Sequence, residues 1–198
     1  MNDTTDDRKP VGRSRRRSIL LIVCVVIAVV AAAVYFSRDV VPVASTTAVG
    51  NSTLKVGEKA PEFTVETDDG PFDLDAVSTP VLLEIFATWC PHCQFETHVL
   101  NDVARKYQGK LAIVAVSGSA LGGDHESPES QADVNAFAQY FHVSYPIAFD
   151  PDLSVAQTYL ATGFPTMLLI KPDKTIAWIN SGQLPEPSLL DAINQVVQ

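Results

Sequence analysis

Trp89-Cys90-Pro91-His92-Cys93 sets two thiols two residues apart. The apolar run Val81-Leu82-Leu83-Glu84-Ile85-Phe86-Ala87 comes directly before it, and Gln94 to Tyr107 reads as a helix. The pair therefore falls at a strand-to-helix junction. There the unpaired N–H groups and the positive end of the helix dipole stabilise a thiolate. A thiolate so placed is the requirement for thiol–disulfide exchange.

Other uses of two cysteines fit less well. A structural zinc site needs four ligands. The only other cysteine is Cys24, inside an apolar segment, and His92, His98, His125 and His142 make no second ligand pair at zinc-finger spacing. A permanent disulfide closing so short a loop contributes little stability. A redox dithiol remains. A copper-binding module is a rival of another class, since two thiolates with a histidine suit Cu(I).

Cys90 comes first, at the helix end where it can be exposed, and is the expected nucleophile. Cys93 lies within the first turn on the same side and resolves the mixed disulfide. His92, between them, has a ring that can donate a hydrogen bond or a charge to the Cys90 thiolate, which would make the disulfide a stronger oxidant. Pro91 fits a first helical turn, where no N–H is needed. Trp89 either shields Cys90 or packs in the core. Glu84 is a carboxylate in an otherwise apolar strand, on the face of Leu82 and Phe86. Burial would raise its pKa and suit it to move a proton to and from Cys93. His98 and His142 are expected at surface or core positions, and His125 in solvent.

These groups need a scaffold, and the chain has room for one domain plus extras. Arg8, Lys9, Arg13, Arg15, Arg16 and Arg17 crowd residues 1–18. The eighteen residues Ile19 to Phe36 carry no charge. As a helix they would cover about 27 Å, close to a bilayer's hydrocarbon thickness. The arginine flank predicts a single-pass anchor over 19–36 in an inner or plasma membrane, with its N-terminus cytoplasmic. A cleaved signal peptide is the alternative, with Ala31-Ala32-Ala33 as a cleavage region. Residues 37–54 read as a linker and 55–198 as the domain. After Phe36 there are twenty acidic residues and eight basic ones, a charge of −12 that argues against nucleic-acid binding. An extracytoplasmic location is compatible with disulfide chemistry.

Phe63 to Thr67, a turn at Asp68 to Pro71, and Phe72 to Leu74 predict a β-hairpin. Val81 to Ala87 and Leu111 to Ser117 predict parallel strands joined by the helix after Cys90, with Phe95, Val99, Leu100, Val103 and Tyr107 on its apolar face. Gly118 to Pro128 is a loop, followed by a helix over 130–141, a short strand at 146–150 and a short helix at 152–160. Thr166 to Lys171 and Thr175 to Asn180 form a closing hairpin before a last helix over 187–197. This order gives an α/β fold with a mixed sheet and helices on both faces.

With this order, the dithiol and Gly163-Phe164-Pro165-Thr166, the chain resembles the thioredoxin superfamily. Lys55-Val56-Gly57-Glu58-Lys59-Ala60-Pro61-Glu62-Phe63 and Val81 to Cys93 are similar to the extracytoplasmic TlpA/ResA-type branch. The resemblance implies a thioredoxin-like fold with an N-terminal hairpin extension. It implies a cis-proline at Pro165 facing the dithiol, with the neighbouring backbone pairing with an extended client and Phe164 adding apolar contact. It also implies protein clients with cysteine thiols or disulfides, a membrane electron-transfer partner, and no cofactor beyond the Cys90–Cys93 couple. Reduction of client disulfides, for example the haem-binding cysteines of apocytochromes c, is the direction it favours. Two features depart from the branch. Glu84 stands where Asn or Asp is common, and Pro91-His92 resembles the oxidising DsbA group, so a disulfide-forming oxidase stays open. A peroxiredoxin-like Pro-x-x-Thr-x-x-Cys pattern is absent from the sequence.

Overall fold

The computed structural model describes residues 52–197, together with Val26. The basic segment 1–18, the proposed anchor 19–36 apart from Val26, and the linker up to residue 51 lie outside the described residues. Among the described residues no helix is long and apolar enough to cross a membrane. Contacts with the fold reach N-terminal to residue 55. The Ser52 amide donates to the Leu160 carbonyl at 3.0 Å, and Leu54 packs half-buried on the core.

Eleven elements follow in the anticipated order. They are β1 (Thr64–Thr67), β2 (Gly70–Asp73), β3 (Val81–Phe86), α1 (Pro91–Lys106), β4 (Ala112–Ser117), α2 (Gln131–Tyr140), β5 (Ile147–Phe149), α3 (Ser154–Tyr159), β6 (Thr166–Ile170), β7 (Ile176–Ser181) and α4 (Glu186–Asn194). They form one sheet in the order β2-β1-β5-β4-β3-β6-β7. The β3–β4 and β4–β5 pairs are parallel; the other four pairs are antiparallel. This is the thioredoxin-like α/β fold with a mixed sheet.

All six residues of β3 are buried. With β4 and β6 on its two sides, it has no free edge. Strand alternation sends Leu82 and Phe86 into one core with α1, α2 and α4, and Val81, Leu83 and Ile85 into a second core with α3 and the β1–β2 hairpin. A strand buried on both faces reads as a continuous apolar run, which is why Glu84 stands out. Its parity puts Glu84 on the α1 side.

Beyond the β1–β5 pairing, one lysine ties the segment that follows the hairpin to the β6–β7 turn. Lys174, in the β6–β7 turn at φ +66°, donates its ammonium to the Leu74 and Val77 carbonyls, each at 2.6 Å. Hydrogen bonds from a charged donor contribute about 1.5–3 kcal/mol each. Lys174→Met keeps the stem and removes both bonds. Urea unfolding should show a loss of about 2–3 kcal/mol with the denaturant slope unchanged.

Candidate active site

β3 ends at Phe86, and the chain turns through Ala87, Thr88 and Trp89 before α1 starts. The Cys90 amide closes this turn on the Ala87 carbonyl at 3.1 Å. Cys90 is the N-cap residue, with extended backbone and no side-chain capping bond, and Pro91 takes N1. The first turn of α1 carries no acidic residue. The orphan N–H groups at this end are thus left to the Cys90 sulfur rather than to a competing carboxylate.

The two thiols are free, and their surroundings separate them. The Cys90 thiol is lowered to about 6, first by a hydrogen bond from the Cys93 thiol and then by the backbone N–H groups of Cys93 and His92, against the opposing effect of burial. The charge of His92 is the smallest contribution named. Cys93 is fully buried, and desolvation pushes its thiol far upward, with its bond to Cys90 and the charge of Glu84 adding to this. At neutral pH Cys90 is the thiolate and Cys93 keeps its proton.

Beneath Cys93 lie two buried carboxyl groups. Glu84 is 1 % exposed, and burial pushes it well above the usual carboxylate range, with the charges of Glu96 and Cys90 acting the same way. Glu96, on α1, has no exposed surface and is raised to about 7, chiefly by burial. Its Oε2 accepts only the Leu184 amide, at 3.4 Å. Oε1 of each glutamate is buried with no partner. A carboxyl raised this way lies closer in pKa to a thiol, which makes proton transfer between them less uphill. Tyr145 borders the same space. Its phenol is pushed upward by burial and then by Glu84.

The opposite wall is the loop before β6. The Phe164–Pro165 peptide is cis. The Cys90 Sγ lies 3.8 Å from the Phe164 carbonyl oxygen. Thr166 Oγ1 and Ser181 Oγ both donate to the Gly163 carbonyl, at 2.8 and 3.1 Å, and the Gly182 amide donates to the Pro165 carbonyl at 2.7 Å. These bonds fix the loop against β7. Phe164 meets Trp89 edge to face, with ring centroids 5.9 Å apart. Gly118 lies behind Phe164. A Cβ there would stand 2.7 Å from both the Ala156 and Ile85 side chains, so nothing larger than glycine fits.

The structure brings Cys90, Cys93, Glu84, Trp89, Phe164 and Pro165 together, and it corrects several details. Cys90 is only 5 % exposed, because Trp89 and the Phe164 loop close over it. The imidazole of His92 is exposed, its Nδ1 2.7 Å from Gln183 Oε1, and its charge is the least of the named influences on Cys90. His125 is exposed, as expected, with its ring 4.8 Å from that of Trp89. Phe95 leaves the apolar face of α1 and is 51 % exposed. Glu96 was missed, although its i+3 spacing from Cys93 places it on the buried side. Glu129 was also missed. Buried, it accepts the hydroxyls of Thr88, at 2.7 Å, and Ser117. Ser119 accepts the Trp89 indole N–H at 2.8 Å. Only the tertiary fold brings these last two to the active-site turn. Among the described residues no three His, Cys, Asp or Glu side chains gather as a metal site.

Two outcomes follow from this electrostatic arrangement. Alkylation of Cys90 by iodoacetamide should be half-maximal near pH 6, while Cys93 stays unmodified in the folded protein. Cys93→Ala should raise that midpoint more than His92→Ala does. The glutamates govern stability. Glu96 and Glu84 hold their protons in the folded protein above the pH at which the unfolded chain releases them. Stability therefore falls as pH rises from about 4.5 towards 7 and beyond. Urea unfolding at a series of pH values should show this slope, and Glu96→Gln should flatten it between pH 5 and about 7.

The AhpC/TSA family profile matches residues 56–179. The thioredoxin-like protein YneN of Bacillus subtilis is 29% identical over 133 residues, which are 66% of this chain and 74% of that protein. The thiol-disulfide oxidoreductase ResA of Oceanobacillus iheyensis is 29% identical over 164 residues, 79% of this chain and 81% of that one. A solved structure from Chlorobium tepidum, a candidate thiol:disulfide interchange protein DsbE, superposes with a TM-score of 0.65 at 25% identity, covering 74% of this chain and all of the other. Both the profile and the fold thus converge on the segment that carries the dithiol, and the chain belongs to the AhpC/TSA family of thioredoxin-like proteins.

Proposed function

We propose that this protein is a thiol–disulfide oxidoreductase that reduces disulfides of client proteins through Cys90 and Cys93. One observation carries the reading. The two thiols are split, with a Cys90 thiolate at a helix N-terminus and a Cys93 thiol buried beside it. The similarity to proteins named thiol-disulfide oxidoreductase ResA supports it.

In the first step the Cys90 thiolate attacks one sulfur of the client disulfide. A Cys90–client disulfide forms and the other client cysteine leaves as thiolate. In the second step the ionised fraction of Glu84 takes the Cys93 proton, and the Cys93 sulfur attacks the Cys90 sulfur. The second client thiolate leaves, and two electrons have passed to the client. Glu84, and through it Glu96, handles the proton in a space closed to water. Trp89 and Phe164 cover Cys90, and the backbone beside Pro165 can pair with an extended client strand. Pro91 holds the first turn of α1. His92 acts on Cys90 chiefly through its backbone N–H.

Direction depends on the reduction potential. A nucleophile near pH 6 lies close to thioredoxin, at about 7, and far from DsbA, at about 3.5. This favours reduction over the oxidase that Pro91-His92 suggests. We place the domain 55–198, extended to Ser52, outside the cytoplasm, held by the 19–36 span and the 37–54 linker and recharged by a membrane electron donor. The haem-binding cysteines of apocytochromes c are the client class put forward. Equilibration with glutathione should give a potential below about −200 mV; a value near about −120 mV would reverse the direction. In Cys93→Ala the second step is blocked, so a client disulfide should accumulate as a covalent adduct on Cys90. No adduct with any disulfide peptide would sink the proposal.

A further inference from the structure

A groove runs beside the active-site turn, away from the Phe164 loop. It is a cavity of about 450 Å³. One side is Thr88, two residues before Cys90, and Gln94, whose amide is held on the Thr88 carbonyl at 3.0 Å. The floor is the buried ring of Phe137 and the half-buried ring of Phe141. Tyr140, at 77 % exposed the most open of the large apolar side chains on the described residues, forms the far wall with Ala136.

The rim is negative. Asp133 lines the groove, and Gly123 brings in the loop tip that carries Asp124 and Glu126. Between Lys110 and Lys171 the chain has no lysine or arginine, so nothing on this segment neutralises the rim. The tip is a built turn. The Asp124 carboxylate accepts the Glu126 and Ser127 amides, at 3.0 and 2.9 Å, and stays ionised, lowered to about 2 chiefly by Ser127. The loop base is fixed by the Leu121–Pro128 bridge and by Glu129 on Thr88.

Resting on the oxidoreductase reading, we propose that this groove docks a basic segment of the client polypeptide, one or two lysines or arginines beside an apolar residue, flanking the reacting cysteine. The chemistry selects such an occupant. The aliphatic stem of a lysine or arginine lies along the Phe137–Phe141 floor, its charge reaches the acidic rim, and the open face of Tyr140 accepts a cation or an apolar side chain. Proximity to Thr88 and Gln94 puts the docked segment within a few residues of a sulfur held at Cys90. Complementary charge of this kind raises the association rate and selects partners more than it deepens affinity.

The test compares two symmetric peptide disulfides as substrates of the reduced protein. They are the dimers of Gly-Cys-Gly-Lys-Leu-Lys and of Gly-Cys-Gly-Glu-Leu-Glu. The basic dimer should be reduced faster by about 10-fold or more at low salt, and the ratio should shrink in high salt. Ala136→Lys puts a cation into the groove at an exposed helical position that tolerates it. The ratio in that variant should fall by about threefold or more. Equal rates for the two dimers, or an unchanged ratio in Ala136→Lys, overturn the groove proposal. Oxidised glutathione separates the two readings. If it oxidises the dithiol while the dimers react equally, only the groove is lost; if no disulfide reacts, the oxidoreductase reading fails and the groove goes with it.

Discussion

The site depends on one constraint: two chemically identical thiols must titrate far apart. Three residues of helix accomplish this. Cys90 stands at the cap position, where N–H groups have no partner within the helix. Cys93 stands one turn inside, in an apolar core. Burial there keeps the proton on its thiol, and the bond it donates to Cys90 adds to this. The same hydrogen bond lowers one pKa and raises the other.

Around this pair the fold supplies walls rather than further reactive groups. The sheet fixes β3, so the active-site turn emerges from a strand buried along its whole length. Loops from two other places then converge on it. Ser119 and Glu129 hold Trp89 and Thr88 from one side, and Ser181 and Thr166 hold the Phe164–Pro165 loop from the other. The Trp89–Phe164 edge contact joins the two sides over Cys90. Access to the sulfur is therefore set by packing between loops far apart in sequence. A client must displace or slide past these rings to reach it.

The buried glutamates run against stability. Glu84 and Glu96 each leave a carboxylate oxygen without a partner in a region that excludes water. Desolvating a carboxyl group with no compensating bond is costly, and an apolar pair of similar volume would pack better. Their retention beside Cys93 is intelligible if a proton must enter and leave that pocket during exchange. Proteins commonly give up stability at functional sites in this way.

Much of this was legible in the chain. The dithiol, the Glu84 parity and the element order follow from local pattern, because strand alternation, helix periodicity and cap position depend on near neighbours in sequence; Pro165 came from the family resemblance. Local pattern misjudged the apolar face of α1. It read Phe95 as core and overlooked Glu96, since hydrophobicity and helical phase disagree in the first two turns and the phase set by Cys93 prevailed. It also left Cys90 open to solvent, and it could not pair the His92 ring with Gln183. Those positions depend on Trp89, Phe164 and Gln183, which reach the site only across the folded sheet. The sequence by itself determined which residues are reactive and where in a helix they stand. Only the tertiary structure decided which sulfur is covered and where the histidine rings point. It also paired the two carboxyl groups in one dry space, because burial and long-range contact have no signature within a few residues of chain.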